Sequence, residues 1–322
     1  MLSFMNSGAR ASQVVWSATP TPFLTDLSVD QASVRALVEH HLRLGVSGLM
    51  LGGTCGEGPW MPYADLQELT AAAAEASAGR IRIAAQVTDN SARRMLANIE
   101  GLARAGAEFG VIASPYLMMN VNPRRVLDLY LEVVRSSPIP IGFYDRGKNA
   151  AYVVETELLP ELLAEPNLQI VKDSSTDPVR RDVFLQAARS REGLTVLNGD
   201  EFHCLGYLQA GYNGLLLGGG IFNGGMALGM IRSVAQGDPD GAARIQERMN
   251  DLMFRVYGGE KITCWLTGLK YLLQRMGIFQ STAGYLGYPL TDSCRAAIDE
   301  IVDGADVDGF RSEIFPVVRD PA

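Results

Sequence analysis

The chain contains the apolar run Leu168-Gln169-Ile170-Val171-Lys172-Asp173, and an amphipathic stretch begins soon after it, near Pro178. A short apolar run bounded by turn residues predicts a strand, and the longer amphipathic stretch predicts a helix. The same alternation recurs along most of the chain. Such repetition is typical of β/α units that build a parallel sheet covered by helices.

Eight such units can be counted. The predicted strands are residues 14–17, 48–51, 81–86, 109–112, 139–143, 170–173, 195–198 and 214–217. The predicted helices begin near Val29, Tyr63, Ser91, Pro123, Glu155, Pro178, Phe202 and Gly224. Because no Gly-x-Gly-x-x-Gly turn follows the first strand, we predict an α/β fold of the (β/α)8 TIM barrel class rather than a doubly wound sheet.

The pattern changes to helices alone beyond Gly237. Residues 241–257, 264–276 and 293–301 are the predicted helices there, and residues from 315 onward are expected to form a tail. We therefore predict that residues 1–236 form the barrel that carries the active site. Residues 237–322 are predicted to form a C-terminal helical region that packs on the barrel without a flexible linker.

Composition limits the classes of partner. The 322 residues are 47% hydrophobic and 20% charged, which is ordinary for a soluble protein with a sizeable core. A net charge of -8 without a Lys/Arg block argues against a nucleic-acid partner. We expect no signal peptide, because Met1 to Gln13 contains no apolar core of sufficient length, and no membrane partner, because no apolar stretch approaches the ~18 residues of a membrane helix. The four cysteines lack C-x-x-C spacing, which indicates a reducing compartment, and we expect a cytoplasmic protein.

Lys172 is unusual because the chain has only three other lysines, Lys148, Lys261 and Lys270. Burial at the end of an apolar strand penalises the ammonium and favours the neutral amine, which attacks carbonyl groups. The simpler interpretation of the residue alone is a strand-end lysine that extends to solvent. The surrounding loops decide between the two.

Loops that follow the strands form the active-site face of such a barrel. The motif Gly53-Thr54-Cys55-Gly56-Glu57 follows the second strand and offers backbone N–H groups and a hydroxyl suited to a carboxylate. Tyr144 occupies the end of the strand next to that of Lys172, so we expect both side chains to share one pocket. A tyrosine beside a Schiff-base lysine can move protons.

These motifs occur together in the order and spacing of one family. They are Thr21-Pro22-Phe23, Gly53-Thr54-Cys55-Gly56-Glu57, Tyr144, Lys172-Asp173-Ser174-Ser175 and Asn198-Gly199-Asp200-Glu201. From about Val14 to about Ile301 the chain resembles the dihydrodipicolinate synthase / N-acetylneuraminate lyase family of class I, Schiff-base-forming aldolases.

The resemblance implies a lysine that condenses with the keto group of pyruvate or another 2-oxo acid. It assigns imine formation to Lys172 and proton transfer to Tyr144, with Thr54 orienting the tyrosine. Thr54, the Cys55 amide and neighbouring Gly53 would hold the substrate carboxylate, and the backbone of Leu216 would contact the pyruvyl group. No separate cofactor is implied, and the family's common assembly is a homotetramer built from tight dimers.

Three departures from the family pattern concern the second substrate. Cys55 stands where a second Thr or Ser is typical, and Leu117 follows Tyr116 where the synthases carry two tyrosines. Asn149 occupies the place of an arginine that grips the aldehyde substrate's carboxylate, although Arg146 lies nearby. We therefore include Arg146 and Asn149 among the substrate-binding candidates. Their pattern also resembles the 2-keto-3-deoxy sugar-acid dehydratase branch, in which the same lysine drives loss of water.

Other classes of function stay open. Asp200-Glu201-Phe202-His203-Cys204 contains metal-ligand residue types, as a metal-dependent lyase would need, but adjacent residues seldom point into one pocket. We expect no metal, an ordinary helix residue at His203, and an N-cap or turn residue at Asp200 or Glu201. A hydrolase with Cys55 as nucleophile and a non-catalytic barrel that binds a 2-oxo acid are further alternatives. His40 and His41 on the first helix are expected to be surface or packing residues.

Overall fold

A computed structural model describes residues 13–305 and 309–314 of the chain. Eight parallel strands form a closed barrel in which each strand pairs with the next, and β1 pairs with β8. The strands are β1 Val14–Ala18, β2 Gly48–Leu51, β3 Arg82–Gln86, β4 Phe109–Ile112, β5 Ile141–Asp145, β6 Leu168–Asp173, β7 Thr195–Asn198 and β8 Gly214–Leu217. The predicted (β/α)8 TIM barrel is confirmed.

Helices follow the strands and continue beyond the barrel. Those of the barrel are α1 Gln31–Leu44, α2 Tyr63–Ser77, α3 Ala92–Arg104, α4 Pro123–Ser136, α5 Leu159–Leu163, α6 Pro178–Ser190, α7 Cys204–Ala210 and α8 Gly220–Gln236. The C-terminal helices are α9 Pro239–Tyr257, α10 Trp265–Arg275, α11 Asp292–Asp303 and α12 Phe310–Ile314. Within the described residues, no helix combines the length and the apolar character needed to cross a membrane.

Side-chain caps define where several helices begin. Asp30 Oδ1 accepts a hydrogen bond from the Ala32 amide at 3.1 Å before α1. Asp177 Oδ1 accepts one from the Val179 amide at 2.8 Å before α6, where Pro178 occupies the first turn. An acidic side chain at this position satisfies a helical N–H group that has no partner within the helix, which sets the start of the helix.

The strands alternate between two apolar layers because successive side chains point to opposite faces. The inward layer fills the barrel and consists of Trp16, Ala18, Met50, Ala84, Phe109, Val111, Ala113, Tyr144, Ile170, Leu197 and Leu216. The outward layer, which includes Val171, packs against the helices. Since Ile170 points inward, the same periodicity turns Lys172 toward the barrel interior.

Strand β5 differs from its predicted position at both ends. It begins at Ile141 rather than at residue 139, because Pro140 has no N–H group to donate to a neighbouring strand. It extends to Asp145, so Tyr144 lies within the strand and not in the loop after it. The tyrosine is therefore held by the sheet.

The C-terminal helices pack directly on the barrel, and α9 follows α8 after only Gly237 and Asp238. Gly237 adopts the left-handed conformation with φ 72°, which ends α8, and Asp238 Oδ1 accepts from the Gly241 amide at 2.8 Å to begin α9. The division into a barrel of residues 1–236 and a region of residues 237–322 stays a proposal. The predicted tail from residue 315 lies outside the described residues, and α12 was not predicted.

Candidate active site

Lys172 and Tyr144 lie side by side at the carboxyl ends of β6 and β5. They are partners in the strand register, and the Lys172 Nζ atom is 4.3 Å from the centroid of the Tyr144 ring. Their residues are only 7% and 8% exposed. The structure therefore brings an amine and a phenol together at the mouth of the barrel interior, where the sequence places them in one pocket.

The next residue of each strand, Asp145 or Asp173, points to the outer side. Asp145 Oδ2 accepts from Nε of the buried Arg180 at 2.7 Å, and its Oδ1 accepts from the Gly147 amide at 3.0 Å. Asp173 accepts from the Tyr212 hydroxyl at 2.6 Å. Burial raises the pKa of the Asp173 carboxyl above its ordinary value, although the bond from Tyr212 acts in the opposite direction. These contacts fix the end of β5 to α6 and the end of β6 to the segment between α7 and β8.

The loop after β2 is tightly folded around glycines. Gly52 has φ +62°, and a Cβ atom on Gly58 would lie 1.8 Å from the Gly52 carbonyl oxygen. A Cβ atom on Gly56 would lie 2.8 Å from the Gly52 amide nitrogen, and the Gly56 carbonyl accepts from the Thr21 hydroxyl at 2.6 Å. Only glycine permits this fold, since any side chain would collide with backbone.

Within this loop, Gly53 and Cys55 are buried and Thr54 is half-buried. The Cys55 Sγ atom lies 4.0 Å from the Gly218 carbonyl oxygen, and burial raises the pKa of the thiol to about 12. The thiol is therefore neutral, which does not favour a cysteine nucleophile. The hydroxyls of Thr54 and Tyr144 form no hydrogen bond with each other in the described part of the chain, so the orienting role of Thr54 stays a prediction.

The other substrate-binding candidates differ in accessibility. Leu216 lies on β8 inside the barrel and is 2% exposed. Arg146 is half-buried directly after β5, and its side chain forms no hydrogen bond or ion pair with another described residue. Asn149 is exposed on a short 3-10 turn, Gly147–Asn149. Arg146 is thus an unpaired cation at the active-site face, while Asn149 faces solvent.

Glu201 is a half-buried acid at the candidate site whose role was not predicted from the sequence. Its Oε2 atom accepts from the Gly219 amide at 2.7 Å, and its Oε1 atom accepts from the Tyr257 hydroxyl at 3.0 Å. Burial raises the pKa of this carboxyl, while these hydrogen bonds and the nearby Lys172 ammonium lower it. The carboxyl therefore lies within electrostatic range of the lysine. The signal available in the sequence was its place in a loop at the active-site face.

The rest of the predicted acidic cluster is dispersed. Asp200 is the turn residue, as predicted, and accepts from the Phe202 amide at 3.3 Å. His203 precedes α7 instead of lying within it, and its side chain is 76% exposed and paired with Asp200 at 2.9 Å. Among the described residues, no group of three or more His, Cys, Asp or Glu is arranged to hold a metal ion. This arrangement does not favour the metal-dependent alternative.

The fold is a (β/α)8 barrel, and its candidate site centres on a buried lysine. The Dihydrodipicolinate synthetase family matches residues 11–303. A 4-hydroxy-tetrahydrodipicolinate synthase of Rhizobium meliloti is 25% identical over 89% of this chain and 95% of its own length. An N-acetylneuraminate lyase of Rhizobium meliloti (strain 1021) is 27% identical over 73% of this chain and 77% of its own length.

Solved structures show the same fold at low sequence identity. YagE of E. coli K12, a prophage protein of the dihydrodipicolinic acid synthase family solved in complex with pyruvate, is 19% identical with a TM-score of 0.80. That comparison covers 93% of this chain and 98% of YagE. The chain belongs to the dihydrodipicolinate synthetase family, and it is an enzyme of the lyase class.

Proposed function

We propose that this lyase works through an imine between Lys172 and pyruvate or another 2-oxo acid. The observation that carries the proposal is the buried Lys172 amine 4.3 Å from the Tyr144 ring centroid at the mouth of the barrel. Relatives support the substrate class, since both YagE and a dihydrodipicolinate synthase of Acinetobacter baumannii were solved with pyruvate.

The proposed reaction begins when the Lys172 amine attacks the keto carbon and water leaves, which forms an iminium ion. Loss of a proton from the adjacent carbon then gives an enamine, and the positive nitrogen accepts the electron pair. Tyr144 is proposed to give and take the protons of these steps. The enamine adds to an aldehyde in the condensation direction, and C–C cleavage produces it in the reverse direction.

The glycine loop is the proposed site for the substrate carboxylate. The amides and hydroxyl of Gly53, Thr54 and Cys55 are the donors, and the backbone of Leu216 contacts the pyruvyl group. A carboxylate there would meet N–H groups of a tight turn in which Gly56 and Gly58 leave no room for side chains. We predict that this chemistry needs no separate cofactor or metal.

The second substrate is proposed to contact Arg146, with Asn149 at the edge of the site. A guanidinium that has no partner among the described residues is suited to a carboxylate, which it can bind through two parallel hydrogen bonds. Dehydration of a 2-keto-3-deoxy sugar acid on the same lysine is the alternative that shares these residues. The other alternative is a barrel that binds a 2-oxo acid without converting it, and it would show no turnover.

We also propose a homo-oligomer, with the family's tetramer as the expected assembly. Large apolar side chains are exposed on the loops after β2 and β4, namely Trp60, Tyr116, Leu117, Met119 and Val121. Clustered exposed apolar groups of this size are typical of protein interfaces. Light scattering on the purified protein would show a multiple of the chain mass, and a monomer would contradict the proposal. Location in the cytoplasm stays a prediction.

Borohydride trapping followed by peptide mass spectrometry tests the imine. The protein is reduced in the presence of pyruvate and, separately, of 2-keto-3-deoxy sugar acids, with and without a chelator. We expect a covalent adduct on Lys172 that the chelator does not affect. Comparison of the trapped acids, and of the products released without borohydride, separates condensation from dehydration. A folded protein that forms no adduct with any of them would contradict the proposal.

A further inference from the structure

A buried ion pair joins the glycine loop to the C-terminal helices. Glu57, the last residue of the motif, is 0% exposed, and Lys270 of α10 is 1% exposed. The Lys270 ammonium donates to the Glu57 carboxylate and also to the Ala283 carbonyl, the latter at 2.7 Å. The second Glu57 oxygen accepts from the amides of Tyr285 and Leu286 at 2.5 and 3.3 Å. One carboxylate therefore fixes the loop to two C-terminal segments.

The surroundings of the pair are closely packed. A Cβ atom on Gly284 would lie 2.8 Å from both Glu57 carboxylate oxygens and 2.9 Å from the Lys270 ammonium. On another side, the Lys270 Nζ atom lies 4.6 Å from the centroid of the Phe23 ring, which also contacts Tyr285 edge-on. Glycine at position 284 thus permits the backbone to approach the pair closely, and a side chain there would displace it.

Stability alone is a weak explanation of this pair. Removing two charges from water costs much of what their attraction returns, and apolar replacements often stabilise such sites. Glu57 also has φ 57°, an unfavourable backbone conformation for a residue with a side chain. Burial of an ion pair on a strained backbone indicates a role in shaping the loop.

The pair lies beside the groups proposed to bind substrate. Glu57 follows Thr54 and Cys55 in the same turn, and its amide donates to the Thr54 carbonyl at 3.2 Å. Lys270 and Glu57 are close enough to Cys55 to influence the pKa of its thiol in opposite directions. A shift of the pair would therefore move the donors that face the substrate carboxylate.

We propose that Lys270 and Glu57 are a positioning pair through which the C-terminal helical region holds residues 53–57 in the conformation that binds the carboxylate of the 2-oxo acid. This inference rests on the proposed function. Lys270 is proposed to act through the loop and not by contact with the substrate. Its effect is on affinity for the 2-oxo acid and not on the chemistry at Lys172.

The test measures the pyruvate concentration that gives half-maximal borohydride trapping. The variants are Lys270→Met and the double variant E57Q/K270M, which leaves no unpaired buried charge if the single variant fails to fold. We expect the double variant to need about tenfold more pyruvate, because a misplacement of about 1 Å can cost up to 10²-fold. The adduct at saturating pyruvate is expected to match that of the original protein.

Tyr271→Phe is the matched control on the same helix. It removes the hydrogen bond from the Tyr271 hydroxyl to Asp299 at 2.8 Å and leaves Glu57 untouched. Its half-saturating concentration is expected to stay within about twofold of the original value. A double variant that is folded and also stays within about twofold would overturn the inference alone. A folded original protein without any adduct would overturn the proposed function and this inference with it.

Discussion

The two sides of the site are held by different means. On one side, Tyr144 and Lys172 are carried by adjacent strands whose ends are fixed by Asp145 and Asp173. On the other side, the glycine loop depends on Lys270, which lies 213 residues after Glu57. The proposed reactive groups thus belong to the sheet, whereas the loop proposed to bind the carboxylate is held by contacts from distant C-terminal segments. Changes on the first side should affect chemistry or stability, and changes on the second should affect affinity.

The largest expected effect is that of Lys172→Arg. A guanidinium stays charged and cannot condense with a keto group, so we expect no imine adduct and no turnover. The strand should remain intact, because the change retains a long cationic side chain. Borohydride trapping and an activity assay on the folded variant measure the two effects. Turnover in the Lys172→Arg variant would contradict the Schiff-base mechanism.

Tyr144→Phe should slow turnover by roughly 10²–10⁴, the range typical of a lost acid–base group. The ring still packs inside the barrel, so the fold and slow trapping on Lys172 should persist. Single-turnover kinetics with pyruvate distinguish slow proton transfer from lost binding. An unchanged rate would assign proton transfer to another group, and Glu201 would be the next candidate.

Arg180→Met sharpens the comparison on the strand side. The Arg180–Asp145 pair is only 4% exposed at each side chain, so removal of the cation leaves a buried carboxylate without its partner. We expect a loss of about 3–5 kcal/mol in the free energy of unfolding. Chemical denaturation gives this value, and trapping well below the unfolding midpoint should show pyruvate affinity within about twofold of the original. A large change in pyruvate affinity would mean that the strand side also controls binding, which would contradict the comparison.

The stability of the protein toward acid depends on two histidines that lie on neither side of the site. His40 and His41 are buried packing residues whose Nε2 and Nδ1 atoms contact the Ile221 and Leu37 carbonyls. Burial lowers the pKa of His40 to about 4 and that of His41 to about 3, below the ordinary value of about 6.5. Below about pH 6.5, His40 and His41 are therefore protonated in the unfolded chain while they stay neutral in the folded protein.

Stability should consequently fall as the pH drops from about 6.5 toward 4, by on the order of 3 kcal/mol for each histidine. Denaturant unfolding at several pH values measures this slope. His203→Gln is the control, because the His203 side chain is 76% exposed and should leave the slope unchanged. A slope that is flat between pH 6.5 and 4 would contradict the buried neutral state of both histidines.

The barrel was predictable from the sequence because strand and helix periods are local properties. Alternation along residues 168–173 turned Lys172 inward with Ile170, and the glycine motif indicated a tight turn. The late start of β5 was also a local effect, since it came from Pro140. These features need no knowledge of distant residues.

The contacts of Glu201 and of Lys270 were not predictable in the same way. Glu201 meets Tyr257 from α9, and Lys270 meets Glu57, so both contacts join segments far apart in the chain. The periodicity of the sequence gives no information about contacts between distant segments. A lysine within the apolar helix Trp265–Arg275 was a signal of a buried partner, although its identity required the fold.

Exchange of the pyruvate methyl protons for deuterium, followed by NMR in heavy water, tests the central claim most directly. Enamine formation at Lys172 removes one of these protons, and its reversal returns deuterium from the solvent. We expect enzyme-dependent exchange, about 10²–10⁴ slower in Tyr144→Phe and absent in Lys172→Arg. Exchange that persists in Lys172→Arg, or a folded original protein that exchanges no protons, would contradict this claim.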